Sequence, residues 1–437
     1  MKRLSISILL VIMLLSTFLY INRPSRHVMA EEATVRIIET EKGYEIIRNG
    51  EPFYIKGAGG KPFFKELSEA GANTLRLYDT TNTAEILDEA QKYNIAVILD
   101  IWLPQYGKGN NLYKDAQFVK TMKAGVKKFV DQHKGHPALL MWNLGNELVY
   151  PVTLRDNEFI DTFNDMIDQI HEDDPNHPVS TTVAGGSRGQ TLSIHLNSPQ
   201  LDLVGYNIFG GLKNIKRNQK QLSLVINVMP YYITEWAGHG PWEHRNTQWS
   251  RLLEPTSAEK SEIYKRKYET YIESDEESLG SIAFYWGQKN EGTPTWFNII
   301  DEEGRKSNVY YALKEVWSGE QFEEDAPEVS QILLNQKLDS DLQVYSTKDT
   351  LEAVLKLERP DSNYIFKWEV LKEGLGFGAS SKRKLNMLNG DTIAIHRKER
   401  IQFQAPKEEG AYRLMAYVYD DNQNFATANI PFFIVKE

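Results

Sequence analysis

The chain of 437 residues contains no cysteine. That absence excludes a disulfide framework, a thiolate metal centre, a cysteine nucleophile and a lipoprotein anchor. Lys and Arg (50) fall short of Asp and Glu (60), the formal net charge is -10, and the basic residues never gather into a long run. No nucleic-acid partner is expected of such a surface. No glycine-rich dinucleotide fingerprint follows any apolar run, since Gly57-Ala-Gly59-Gly60 lacks the spacing and continues into Lys61-Pro62. A Ser-His-Asp arrangement is not expected. Repeats and low-complexity segments are absent, and beyond the N-terminus no stretch is apolar enough to span a bilayer.

What is present is ordinary globular material, 41% hydrophobic and 25% charged, and long enough for two or three domains. Aromatic residues make up 11%, with 9 Trp, a supply that suits stacking on a flat ligand as well as filling a large core. Lys2 and Arg3 precede an apolar run from Leu4 to Ile21, then polar Asn22 to His27, then Val28-Met29-Ala30. This order reads as an export signal over 1–30, cleaved after Ala30 or kept as an uncleaved anchor. Both alternatives put the body of the protein outside the cytoplasm, secreted or anchored.

Residues 31–52 alternate like a short hairpin, with turns at Glu41-Lys-Gly43 and Asn49-Gly50. Over 53–319 short apolar runs then alternate with amphipathic stretches in eight pairs, the rhythm of a (β/α)8 barrel. The strands are expected at 53–57, 74–78, 95–102, 138–144, 178–183, 203–208, 231–235 and 281–286. Acidic residues ending in Pro327 mark a linker over 320–327. Beyond it, 328–437 carries short alternating strands with no helical period, an all-β sandwich of immunoglobulin-like kind. Gly410-Ala-Tyr412 has the look of a tyrosine corner, and Tyr364 and Trp368 read as packing residues of the sandwich.

Two of the apolar runs end in a glutamate. Ala138-Leu-Leu-Met-Trp-Asn-Leu-Gly-Asn146-Glu147 is a buried parallel strand breaking into polar residues, and Tyr231-Tyr-Ile-Thr-Glu235-Trp236 repeats the pattern. Catalytic side chains project from the carboxyl ends of barrel strands. Strands four and seven face each other across the barrel mouth, so the two carboxylates can converge on one sugar ring, as glycoside cleavage with retention requires. Glu147 is the expected acid/base, Glu235 the nucleophile, and Asn146 a hydrogen-bond partner for a sugar hydroxyl. Arg76 sits among apolar residues in strand two, where a buried cation needs an acidic partner. If that partner is Glu235, the arginine keeps it ionised. Tyr206 is a candidate donor to the nucleophile, and Trp286 a stacking platform that Trp102, Trp236 and Trp242 extend. His133, His136, His171 and His177 fall at the amino ends of strands and read as capping or surface residues. No metal and no cofactor is expected.

Gly135-His-Pro-Ala-Leu-Leu-Met-Trp-Asn-Leu-Gly-Asn-Glu147 resembles the acid/base segment of clan A glycoside hydrolases, closest to the barrel of glycoside hydrolase family 2. Asn49-Gly-Glu-Pro-Phe-Tyr-Ile-Lys-Gly57, Gly71-Ala-Asn-Thr-Leu-Arg76, Asp174-Pro175 with Pro178-Val179, Asp202-Leu-Val-Gly-Tyr206-Asn207 and Ile233-Thr-Glu235 match in order. The resemblance implies the same roles: Glu147 acid/base, Glu235 nucleophile, Asn146 the 2-hydroxyl contact, Trp286 the floor of the sugar site. It departs where a hairpin stands in place of that family's jelly roll, and where Leu77-Tyr-Asp79 replaces the His-containing stretch of β-galactosidases. The expectation is an exported retaining hydrolase of a β-linked glycan, with no protein partner implied. A transglycosylase using the same site and a non-catalytic carbohydrate-binding protein are the alternatives.

Overall fold

A computed structural model describes residues 27–436, apart from 42, 108–110, 154, 156, 225, 322–325, 340–341 and 374–390. The basic and apolar parts of the expected export segment lie outside the described residues, as does the middle of the expected linker. Among the described residues no helix is long and apolar enough to cross a membrane.

Strands with no polar side form the centre of the first part of the chain. β1 (Val35–Thr40), β2 (Gly43–Arg48) and β3 (Glu51–Phe53) make a three-stranded antiparallel sheet, so the expected hairpin has a third strand that takes Phe53 from the barrel. The barrel itself begins at β4 (Ile55–Gly60) and continues through β5 (Thr74–Leu77), β6 (Ala96–Ile101), β7 (Leu139–Leu144), β8 (Val179–Ala184), β9 (Leu203–Asn207), β10 (Tyr231–Trp236) and β11 (Ser278–Trp286). These eight close on themselves, β11 lying between β10 and β4, as the sequence rhythm requires. β6 (Ala-Val-Ile-Leu-Asp-Ile) and β7 (Leu-Leu-Met-Trp-Asn-Leu) are buried at every residue, the mark of parallel strands covered on both faces.

Between the strands run α1 (Phe64–Glu69), α2 (Thr83–Lys92), α3 (Ala116–His133), α4 (Glu158–Asp173), α5 (Arg188–Asn197) and α6 (Ile215–Ser223), followed by α7 (Ser257–Lys267) after β10 and α8 (Asn308–Ser318) after β11. Polar caps set their starts. Asp115 accepts from the amides of Gln117 and Phe118, Asn157 from Phe159 and Ile160, and Thr256 forms a capping box with Glu259. α5, the helix with the weakest sequence signal, starts at a Ser187 cap.

Between β11 and α8 the chain makes a hairpin, β12 (Gln288–Glu291) and β13 (Thr293–Asn298), that the sequence rhythm does not announce. The C-terminal strands are β14 (Val329–Leu334), β15 (Val344–Ser346), β16 (Thr350–Leu357), β17 (Ile365–Lys372), β18 (Asp391–His396), β19 (Arg400–Gln404), β20 (Gly410–Tyr419) and β21 (Phe425–Val435). They form two sheets, ordered β14-β16-β19 and β15-β21-β20-β17-β18, which share one core with Trp368, Phe366, Leu414 and Phe432 at its centre. Tyr364 and Trp368 are core residues, as expected. The Tyr412 hydroxyl donates to the Glu408 carbonyl at 3.0 Å, the bond a tyrosine corner makes.

The chain separates into two compact units: 27–68, 73–236 and 271–283 in one, and 69–72, 237–270 and 284–436 in the other. The division falls after Trp236 rather than within 320–327, and buried polar bonds explain why. In the second unit Glu254 takes Lys260 at 2.5 Å, Thr295 at 2.8 Å and Asn429 of β21 at 2.6 Å. Arg413 of β20, fully buried, binds Glu373 and donates to the Leu252 carbonyl at 2.8 Å. These bonds join residues 252–260 and β13 to the sandwich strands.

Candidate active site

Arg76 organises the carboxyl end of the barrel. It points inward from β5, is fully buried, and uses every donor of its guanidinium. Nε and NH2 grip the two oxygens of Asp100, at the end of β6, at 3.0 and 2.7 Å. NH2 also reaches Asn146 Oδ1 at 2.8 Å, and NH1 reaches Asn207 Oδ1 at 3.1 Å and Glu235 Oε1 at 3.2 Å. A planar fork with five N–H groups is the side chain that can serve five partners at fixed angles, the Thr234 carbonyl at 3.2 Å being the fifth. Burial works against its charge, but the fields of Asp100, Tyr78 and Glu235 outweigh that and hold its pKa well above the usual value. The expected pairing of Arg76 with Glu235 is present, and the stronger partner is Asp100.

Asn207, at the end of β9, is the second hub. Its amide nitrogen donates to Glu147 Oε1 and to Asn146 Oδ1, both at 3.1 Å. Its oxygen accepts from Arg76 and from Thr234 Oγ1 at 2.8 Å. Glu147, Glu235, Asn146 and Arg76 thus meet in one hydrogen-bonded cluster, with Asn207 and Asp100 holding it together. Asn143 of β7 donates to Asp100 at 2.8 Å and accepts from Thr182 and Ser180 at 3.0 and 3.1 Å, which fixes Asp100 from below.

Tyr206 does not join the cluster. Successive strand residues point to opposite sides, so with Asn207 facing inward Tyr206 faces the helices, where its hydroxyl donates to Thr191 of α5 at 3.3 Å. Burial pushes it up to about 12. The tyrosine beside the nucleophile candidate is Tyr78, just past β5. Its ring lies 4.7 Å under the Arg76 guanidinium, and burial together with the Glu235 charge raises its pKa well above the ordinary value. Gly59 of β4 makes room for it, since a Cβ there would meet the Tyr78 hydroxyl at 2.4 Å. Near Glu235 the pairing of β10 with both neighbours shifts register. Such a bulge re-aims side chains, and here Thr234 and Glu235 both bond inward.

Glu147 sits beyond the end of β7 in a left-handed conformation, φ 51°, after Gly145 at φ 79°. Non-glycine residues pay about 1 kcal/mol or more for that backbone. Gln105, from the loop after β6, braces it: its amide nitrogen donates to the Glu147 carbonyl and its oxygen accepts from the Val149 amide, both at 3.0 Å. Gly145 is required twice over, by its φ and because a Cβ would lie 2.3 Å from Leu148 Cδ1.

The four tryptophans divide. Trp102 stands 77% exposed at the end of β6, three residues before Gln105. Trp242 is 44% exposed in the second unit. Trp236 and Trp286 are fully buried, and Trp286 packs against Tyr310 and Trp317 of α8 at ring distances of 5.7 and 6.0 Å. Neither buried ring offers a free face to a ligand, so the stacking platform assigned to Trp286 and Trp236 has no support here. A strand-end aromatic can equally cap the core, and these do.

Comparison with known proteins places this barrel. Residues 65–235 match the family model "Glycosyl hydrolases family 2, TIM barrel domain". A Formosa agariphila protein provisionally named a beta-glucuronidase is 21% identical over 292 residues, covering 59% of this chain and 34% of that one. In structure the chain is similar to a calcium-binding mutant of Bacteroides uniformis beta-glucuronidase 2 (TM-score 0.51, 12% identity, 92% of this chain and 48% of that one). It is also similar to beta-D-glucuronidase of Dictyoglomus thermophilum (TM-score 0.52, 18% identity, 66% and 54%). The chain spans about a third of the curated relative and about half of each solved structure. The structural likeness shows the barrel fold, and the sequence match over residues 65–235 is a similarity to the family 2 barrel domain.

Proposed function

We propose that the protein is a retaining β-glycoside hydrolase acting outside the cytoplasm on a β-linked glycan, with Glu235 as nucleophile and Glu147 as acid/base. The observation that carries the reading is the Arg76–Asn207 cluster, which brings two glutamates from strand ends on opposite sides of the barrel into one hydrogen-bonded site. Retaining enzymes hold their carboxyl groups about 5–5.5 Å apart, one attacking the anomeric carbon while the other protonates the leaving oxygen. A full positive charge 3.2 Å from Glu235 favours the ionised carboxylate that a nucleophile needs. The Asn146 oxygen is occupied by Arg76 and Asn207, which orients the amide so that its N–H groups are left for a sugar hydroxyl. Once the glycosyl group is on Glu235, deprotonated Glu147 activates water to release it. Export is supported by the basic, apolar and small-residue order of residues 1–30.

The names of the relatives make β-glucuronides the first substrates to try, ahead of β-glucans, β-mannans and β-galactans. Exposed Trp102, beside the loop that braces Glu147, favours a second sugar on the acceptor side. Transfer to that sugar is the second reading. Product analysis of the wild type beside Glu235→Gln tests both. Shorter sugars absent with the variant support hydrolysis, longer products support transfer, and measurable glycan binding without products would replace both with a binding role.

A further inference from the structure

On the opposite face of the barrel, at the amino ends of the strands, lies a cluster the glycosidase reading does not use. Asp202 precedes β9 and is fixed independently of its neighbours: its Oδ2 accepts from the Val179 amide at 2.7 Å, and its own amide donates to the Val179 carbonyl at 3.1 Å. Two histidines converge on it from distant parts of the chain. His171, in the last turn of α4, places Nε2 2.9 Å from Oδ2. His27, ahead of β1, places Nδ1 2.9 Å from Oδ1. The two imidazole rings stack at 3.6 Å, 14° from parallel, and each turns one nitrogen to the Asp202 carboxylate.

We propose that His27, His171 and Asp202 bind a divalent transition-metal ion of the Zn2+ class, and that the ion fastens the segment ahead of β1 to the base of the barrel; this requires the uncleaved alternative for residues 1–30, since cleavage after Ala30 would remove His27. One nitrogen from each ring and one carboxylate oxygen all lie within 4.8 Å of one another. Ligands about 2.1 Å from a tetrahedral ion are about 3.4 Å apart, so the two 2.9 Å nitrogen–oxygen hydrogen bonds need to open by only about half an ångström to take the ion in place of the bridging protons. Two imidazoles with one carboxylate select zinc and its transition-metal neighbours over calcium or magnesium, which prefer all-oxygen shells. The Val179 amide on Asp202 Oδ2 supplies the outer bond that orients a ligating carboxylate. The Asp202 side chain is buried and that of His171 is 9% exposed, while His27 is 27% exposed, leaving one side open for ion entry and for water to complete the shell. The histidines at strand amino ends had read as capping or surface residues; His171 instead holds one corner of this cluster. The amino face of a barrel serves stability rather than chemistry, so the role is structural.

The test uses the full untagged chain, stripped with EDTA and dialysed, titrated with ZnCl2 and followed by calorimetry, metal analysis after gel filtration, and thermal unfolding. One equivalent of zinc per chain should remain, and saturating zinc should raise Tm by about 5 °C or more, with CaCl2 without effect. His27→Gln, on the part-exposed ring, should keep the circular dichroism spectrum, lose at least about 100-fold in zinc affinity and abolish the zinc-dependent rise in Tm. His171→Gln should do the same. Glycan turnover well below Tm should be unchanged by EDTA, which keeps this result separate from that of the carboxylate site. Absence of stoichiometric zinc in the wild type, or equal binding by His27→Gln, would leave the cluster a hydrogen-bonded clip and overturn the proposal.

Discussion

Replacing Asn207 by alanine separates the acid/base from the nucleophile without touching either. The amide makes four bonds: to Glu147 and Asn146 through nitrogen, and from Arg76 and Thr234 through oxygen. Arg76 NH1 keeps the Thr234 carbonyl and Glu235 as partners, so its charge stays compensated. The fully buried Thr234 hydroxyl loses its acceptor, a cost of about 1–3 kcal/mol. The protein should therefore fold, with a Tm lower by a few degrees. Glu147 loses its tie to the barrel interior, and the loss of one positioning hydrogen bond at a reacting group is worth about 10–10³ in rate. Because that tie holds the proton donor, kcat/KM should fall about tenfold further for a glycoside with a poor leaving group than for an activated aryl glycoside of the same sugar. In the Glu147→Gln background the added cost of Asn207→Ala should nearly vanish, since the two act as one unit. Equal losses for both leaving groups, with additive effects in the double variant, would refute the role of Asn207 as the positioner of Glu147.

Glu235→Gln should abolish turnover of every substrate while the unfolding midpoint stays within about a degree of wild type; substantial residual turnover would remove Glu235 from the nucleophile position. Gln105→Ala should lower kcat through the unbraced left-handed Glu147 backbone and leave KM nearly constant, as steady-state kinetics would show. Trp368→Ala, opening a cavity in the sandwich core, should cost about 3–5 kcal/mol in denaturant unfolding of the second unit. Buried Tyr206 and Tyr232 are both pushed up to about 12, so the folded state holds these protons more tightly than the unfolded chain does. Their contribution is complete below the unfolded value near 10 and is lost as pH rises from about 10 toward 12, which urea midpoints across that range should record.

The barrel was legible because its strands are buried on both faces and so lack polar interruptions, as in β6 and β7. The sandwich was legible from its alternation, as in β16. The β12–β13 hairpin hides because Gln288-Lys-Asn-Glu291 carries no apolar face. In the site, a cation among leucines announced Arg76. Asp100 and Asn207 were overlooked because each looks like an ordinary strand end, and their meaning lies in partners far off in the chain. The choice of Tyr206 over Asn207 was an error of parity: Arg76 and Asn207 both need the inward side, so the adjacent tyrosine has to face out. Burial of Trp286 depends on α8, which no local pattern around the strand reveals.

The brace between Gln105 and Glu147 has a bearing on how such a barrel can be rebuilt. The backbone geometry of one rim segment is held by a side chain from its neighbour, so the loops after β6 and β7 form a single module for recombination. A chimaera that grafts either loop alone from a relative inherits a glutamate without its support, or a support with nothing to hold. Grafting both together preserves the pair, and library designs that shuffle this rim should place their crossover points outside residues 102–149.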